Sequence, residues 1–343
     1  MERRSNGRHV GLTAWETLHL RHSMPWKPFR FDELKYYRFG LALGIANILS
    51  NGLRLGLKKT LGKALQPINS YTRFPEYHFI GYHIEQHLQR FTPGHKVRIL
   101  DVGSPKCLGL YLASHFDIEV HLTDIYEPAV RESEVLWTAI KHGARGKPIF
   151  SVQDARSLKY PQEAFDAVYS MSVIEHVGGE TGDSQSLREM FRVLRPGGIL
   201  LVTIPFGQRY VEQDRVGFEG AARRTSNSEQ CFFQRIYAPA AVEERIIRAA
   251  RDAVLQRAVT VWRETGLISR VYSRFGTNAR GLLGCLNPIL SKALNDSRDG
   301  IFLVPSSYSN LYSERDVYGD LMLLWRRGPD PDLADPGDWR KPK

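Results

Sequence analysis

The stretch Val97-Arg98-Ile99-Leu100-Asp101-Val102-Gly103-Ser104-Pro105-Lys106-Cys107-Leu108-Gly109-Leu110-Tyr111-Leu112-Ala113 changes its period halfway, and that change decides the fold. Up to Val102 it is a short apolar, β-branched run ending in an acid, the pattern of a buried parallel strand. From Pro105 onward Leu108, Tyr111 and Leu112 fall at helical spacing. The spacing therefore predicts strand, tight turn, helix. Ser104 suits an N-cap and Pro105 the first helical position, where a missing N–H costs nothing. The free N–H groups of that helix would then point beyond the strand, and Gly103 would let a ligand approach the backbone.

One strand-glycine-helix unit is a weak signal, and its glycine pattern is incomplete. The runs C-terminal to it, and their order, strengthen the signal. Leu122-Thr123-Asp124 closes a second apolar run with a carboxylate 23 residues after Asp101, the spacing at which doubly wound folds place an acid on a ribose diol. A third run, Ile149 to Ala155, contains Asp154. A fourth, Phe165 to Ser170, leads into Met171-Ser172-Val173-Ile174-Glu175-His176-Val177. After a helix, Arg195-Pro196-Gly197-Gly198 turns into the strand Ile199 to Ile204.

Over about Tyr77 to Phe206 the chain resembles the class I S-adenosylmethionine-dependent methyltransferases, in particular the small-molecule branch of the methyltransferase type 11 kind. Four ordered motifs carry the resemblance: ILDVGS, HLTD, QDA, and FDAVYSMSVIEHV with LRPGGILLVTIP. It implies an α/β fold, a Rossmann-like doubly wound seven-stranded sheet, with S-adenosyl-L-methionine as cofactor. It also implies a cofactor-binding set of Asp101, Gly103, Ser104, Asp124, Asp154, Ala155 and Ser170. In that set Gly103 lies under the amino-acid end, Asp124 accepts from the ribose hydroxyls, and Asp154 with the Ala155 backbone reads the adenine edge. The chain departs from the family at the first loop, where Pro105-Lys106-Cys107 stand in place of a glycine-rich run.

Transfer from a sulfonium is an in-line displacement, so orientation and water exclusion do most of the work and no nucleophilic triad is needed. A hydroxyl acceptor would profit from a base. His176, just after the fourth strand at the rim of the site, is the first candidate and Glu175 its competitor. The alternative is that this pair only begins a helix or buttresses a loop.

The chain of 343 residues is long enough for one such domain with additions, and 42% hydrophobic residues support a sizeable core. Three widely spaced cysteines, Cys107, Cys231 and Cys285, form no CxxC pair, so no disulfide framework or zinc site is expected and a reducing, cytoplasmic compartment is. No secretory signal is read at the N-terminus. Residues His83 and His87 stand one helical turn apart, but no third ligand accompanies them and no metal is expected.

Met1–Ser70 holds twelve basic residues against four acidic, +8 of the net +10. Basicity is thus the property of one segment, which argues against nucleic acid as partner; a small-molecule acceptor is what the resemblance implies. Three units are expected: residues 1–75, a basic arm and amphipathic helical cap; 76–328, the methyltransferase domain with a cap insertion at about 266–310; and 329–343, a solvated tail. Within the first unit, residues 31–65 read as helix with a break at Asn51-Gly52. The 15 residues from Phe39 to Leu53 are without charge between Arg38 and Arg54, too short to span a bilayer. They suit either a helical hairpin roofing the acceptor site or a peripheral membrane contact.

The helix read over 76–91 packs Ile80, Ile84, Leu88 and Phe91 beside the first strand. Asp183 or Ser184 would cap the helix before the fifth strand, residues 207–234 read as an active-site loop, and Val254–Trp262 and Val317–Trp325 as the last two strands. Two readings from other classes stay open: a catalytically silent cofactor-fold interaction protein, and a nucleic-acid methyltransferase.

Overall fold

The computed structural model describes residues 35–55, 73–207, 209–216, 218–219, 223–224, 230–250, 253–264, 302–305 and 318–328. The expected N-terminal arm, residues 56–65 of the cap, most of the 266–310 insertion with its apolar 282–294 stretch, and the tail lie outside them.

The five central strands are β1 (Arg98–Val102), β2 (Glu119–Asp124), β3 (Lys147–Val152), β4 (Phe165–Met171) and β5 (Leu194–Gly207). They pair in parallel in the order β3-β2-β1-β4-β5. Beyond the short strands of residues 211–236, numbered β6 to β9, come β10 (Ala253–Glu264), β11 (Phe302–Pro305) and β12 (Tyr318–Arg327). Strand β12 runs antiparallel between β5 and β10. The expected seven-stranded doubly wound sheet is present, with one strand more. Phe302–Pro305, inside the expected insertion, adds to β10 in parallel and makes the eighth.

The alternation of β1 divides the core between the two faces of the sheet. Ile99 is buried on one face with Ile80 and Ile84 of α2 (Arg73–Leu88) and with Leu108 and Leu112 of α3 (Cys107–His115). Leu100 and Val102 are buried on the other, with Leu187 and Met190 of α5 (Gly182–Val193). Each such side chain taken out of water contributes about 1.5–3 kcal/mol before entropy is counted. Helix α4 (Glu127–Ile140) comes after β2.

Helix α1 (Lys35–Leu55) runs unbroken through Asn51-Gly52, where the sequence predicts a break. It is docked by Tyr36, whose hydroxyl donates to Glu85 of α2 at 2.7 Å and whose ring meets Tyr111 of α3 edge-on. Gly81 makes room, since a Cβ there would lie 2.3 Å from Tyr36 Cζ.

Strand order reverses between β2 and β4 on either side of β1, so the crevice at the carboxyl ends of these strands is where a doubly wound sheet holds its ligand.

Candidate active site

A cavity of about 690 Å³ opens at that crevice. Each strand end supplies part of its wall: Val102 and Gly103 from β1, Thr123 to Tyr126 from β2, Gln153 to Arg156 from β3, and Ser172, Val173 and His176 to Gly178 from β4.

Gly103 has φ +69°, and a Cβ there would stand 2.6 Å from Val173 Cγ1, so this position needs glycine on both counts. Its N–H donates to Thr123 O at 2.9 Å, tying the loop to β2. Beneath it lies Asp101, fully buried and outside the cavity wall. Its Oδ1 accepts from Ser104 N at 3.0 Å and Lys106 Nζ at 2.9 Å, and its Oδ2 from the Tyr169 hydroxyl at 2.7 Å. Burial raises the Asp101 carboxyl above the usual range, against the pull of the Lys106 ammonium.

This network also explains why the expected cap fails. Asp101 accepts from the Ser104 N–H and Lys106 folds back toward it, while the Ser104 Oγ is used elsewhere; α3 begins at Cys107, with Lys106 at its N-cap position and no side-chain cap. Ser104 instead accepts through Oγ from Met171 N at 2.9 Å, and Pro105 precedes the helix.

Of the remaining expected cofactor residues, Asp124, Asp154 and Ala155 line the cavity, whereas Ser104 and the buried Ser170, which donates to Val102 O at 3.1 Å, lie below it. Asp124 accepts from Tyr126 N at 2.9 Å. Asp154 is gripped by Arg156 through its backbone N–H and its guanidinium fork, which holds the carboxyl below its ordinary range.

After β4 the backbone turns sharply at Ser172, φ +47°. Its N–H donates to Thr203 Oγ1 at 3.0 Å and its hydroxyl to Glu76 Oε1 at 2.5 Å. Glu76, fully buried, also takes the Thr203 hydroxyl. Sequence reasoning misses Glu76, although it lies four residues before Ile80 and eight before Ile84, an acid on a buried helical stripe.

His176 closes the one-turn 3₁₀ helix Ile174–His176. Its Nδ1 lies 2.7 Å from Phe233 O. A carbonyl only accepts, so in the neutral ring the hydrogen sits on Nδ1 and the lone pair on Nε2. Glu175, buried, places Oε1 at 3.8 Å from that Nε2. His176 lines the cavity and Glu175 does not.

Phe233 belongs to a feature whose sequence reads as a loop: β6 (Val211–Val216) pairs antiparallel with β9 (Gln230–Ile236), carrying the small ladder of β7 (Phe218–Glu219) and β8 (Arg223–Arg224) between them. Arg235, 2% exposed, anchors this ribbon by donating to Val177 O at 2.7 Å and Gly179 O at 2.5 Å. Asp183 is not the N-cap, since the helix begins at Gly182 after Thr181; its carboxylate accepts from Ser184 N at 2.8 Å, from the Tyr237 hydroxyl at 2.9 Å and from Arg245 at 2.8 Å. The ribbon thus brings Cys231 and Phe232 to the cavity, the place expected for α1. Among the described side chains of α1, none lines it. His87 is buried with Nε2 on Asp166 O at 3.1 Å and His83 packs edge-on against Phe79.

The family described as "Methyltransferase domain" matches residues 100–202, the span from β1 into β5. Residues 100–202 are a methyltransferase domain. Phosphoethanolamine N-methyltransferase 3 of Arabidopsis thaliana is 33% identical over 115 residues, 32% of this chain and 21% of that protein. Ajmaline N-methyltransferase of Rauvolfia serpentina is 33% identical over 107 residues, 30% of this chain and 34% of that protein. The aligned stretch thus spans about a fifth and a third of these two relatives. A solved S-adenosylmethionine-dependent methyltransferase from Methanosarcina mazei aligns at 16% identity over 72% of this chain and 97% of its own, TM-score 0.44.

S-adenosyl-L-methionine is the cofactor of such a domain, and the nucleoside side of this cavity fits it. Asp124 at the end of β2 and the Asp154-Ala155 edge after β3 open into one space, and the bare Cα of Gly103 leaves room beside Val173 that a Cβ would fill.

Proposed function

We propose that the chain transfers the methyl group of S-adenosyl-L-methionine to a small, apolar or lipid-like acceptor by direct in-line displacement. The observation that carries the reading is that one cavity of about 690 Å³, within the size range of ligand sites, joins two sides. On one side stand Asp124, Asp154 and Ala155; on the other His176, Val177, Cys231 and Phe232.

When bound, the cofactor supplies a methyl group on a sulfonium, already electrophilic. The chain's part is to align the acceptor and keep water out, which is worth several kcal/mol. Asp124 would hold the ribose hydroxyls, the Ala155 backbone the adenine edge, and Gly103 the backbone approach to the amino-acid end. Asp101, Ser104 and Ser170 act from beneath, by fixing the β1 loop and the β1–β4 seam. His176 would accept the acceptor's proton at Nε2, with the imidazolium steadied by Glu175 and oriented by Phe233 O.

Transfer of labelled methyl from S-adenosyl-L-methionine to a panel of apolar hydroxyl and amine acceptors, with an RNA pool as the other arm, tests this. Label in the small molecules is expected; label confined to RNA would overturn it.

The 31–65 segment is part of the same proposal as a peripheral membrane contact. Leu41, Ile45 and Leu49, spaced i, i+4 and i+8 on α1, are 36%, 50% and 77% exposed, and no described helix is long and apolar enough to cross a membrane. Salt-sensitive co-sedimentation with anionic liposomes is expected, at about 1 kcal/mol per basic residue near the surface; none at low salt would end that part.

A further inference from the structure

Ser172 stands in the cavity wall just after β4, half-buried. Val173 beside it closes on Gly103, where a Cβ would lie 2.6 Å from Val173 Cγ1, and His176 ends the short helix that follows. The neighbours of Ser172 thus reach both the place given above to the amino-acid end of the cofactor and the place given to the base. Ser172 itself turns its two hydrogens the other way. Its N–H goes to Thr203, at 3.1 Å from O and 3.0 Å from Oγ1, and its hydroxyl to Glu76 Oε1 at 2.5 Å. Thr203 and Glu76 are both fully buried and neither lines the cavity. A carboxylate only accepts, so the direction of the hydroxyl is fixed. These bonds also hold Ser172 at φ +47°, an uncommon backbone for a residue other than glycine.

A serine oxygen has two lone pairs. Among the described residues no donor reaches this one. We infer that Ser172 Oγ takes a hydrogen from the ligand, which makes Ser172 a specificity-determining residue and Glu76, acting through it, a positioning residue. The ligand group at this point of the wall is therefore protic, an N–H or an O–H. An ether or carboxylate oxygen in the same place would meet lone pairs and no hydrogen from Ser172. Two groups have that chemistry, the α-ammonium of the cofactor and a hydroxyl or amine of the methyl acceptor. The inference rests on the methyltransferase reading above.

The test uses two pairs of probes on the full chain. The first is S-adenosylhomocysteine against its deamino analogue, in which hydrogen replaces the α-amino group, by calorimetry. The second is 4-butylphenol against its methyl ether, on protein saturated with S-adenosylhomocysteine, by saturation-transfer NMR. Wild type is expected to prefer the protic member of at least one pair tenfold, and Ser172→Ala to cut that preference at least fivefold. Loss in the first pair assigns the ammonium, loss in the second the acceptor's hydroxyl. No preference in either pair, or one that Ser172→Ala leaves unchanged, overturns the inference. Should that variant not fold, Ser172→Gly makes the same deletion at a φ that suits glycine. Glu76→Gln, which still accepts from both hydroxyls, should keep the preference within threefold, while Glu76→Ala should lose it; a preference kept in Glu76→Ala overturns the part of Glu76. Wild type that does not bind S-adenosylhomocysteine refutes the methyltransferase reading and the inference with it, whereas binding without these changes refutes the inference alone.

Discussion

His176 Nδ1 and the carbonyl oxygen of Phe233, 2.7 Å apart, tie the loop after β4 to the ribbon whose Cys231 and Phe232 line the cavity. The bond fixes the neutral tautomer and aims a lone pair from Nε2. His176→Ala should therefore lower kcat on a hydroxyl acceptor by roughly 10²–10⁴ and leave S-adenosylhomocysteine affinity within about threefold. Steady-state kinetics beside calorimetry separates the two. Weakened cofactor binding with unchanged turnover would make the residue structural.

Gly103 is constrained twice, by its φ and by Val173. Gly103→Ala should cost about 1–3 kcal/mol of stability and weaken S-adenosylhomocysteine binding at least tenfold. Adding Val173→Ala relieves the contact but not the backbone strain, so only part of both losses should return. Full recovery in urea denaturation would show that sterics alone matter there.

Glu76 joins α2 to the floor of the site. Glu76→Ala leaves the Ser172 and Thr203 hydroxyls without their shared acceptor in the interior, an expected loss of about 2–4 kcal/mol in denaturant unfolding. Glu76→Gln, which keeps an acceptor, should lose less than half of that; equal losses would mean that the carboxylate's charge, not its hydrogen bonds, is what counts.

The carboxyl-end crevice, the parallel order of β1 to β5 and the acids at the ends of β2 and β3 are legible in the sequence, because short buried strands at regular spacing leave a plain periodic trace. Three features are not. The cap at Ser104 fails because its Oγ accepts from Met171 N on the neighbouring strand and is not offered to the helix. Glu76 is hidden by its position at a helix start, where acids are ordinary, though the stripe it shares with Ile80 and Ile84 marks it. The ribbon of 211–236 reads as loop because β6 is largely exposed and mostly polar and neither β6 nor β9 offers a clean alternation, and the burial of Arg235, which pins it, leaves no mark in the sequence.

Burial pushes His87 from 6.5 down to about 3, and His78 to about 4. Both are neutral in the fold while the unfolded chain protonates them below about pH 6.5, so the unfolded state binds more protons and stability falls as pH drops through this window. The slope is about 1.4 kcal/mol per pH unit for each group. In urea denaturation at pH 7 and pH 5, His87→Gln, which can still donate to Asp166 O, should reduce the loss by about 1–2 kcal/mol; an identical loss would place His87 outside the acid response.

Calorimetry of S-adenosylhomocysteine with wild type and Asp124→Ala tests most directly that the cavity at the strand ends is the cofactor site. Asp124 lines the cavity at the end of β2, and removing its acceptors for the ribose hydroxyls should weaken binding by on the order of 2–4 kcal/mol, roughly 30- to 1,000-fold. Equal affinity in the two proteins would contradict the assignment.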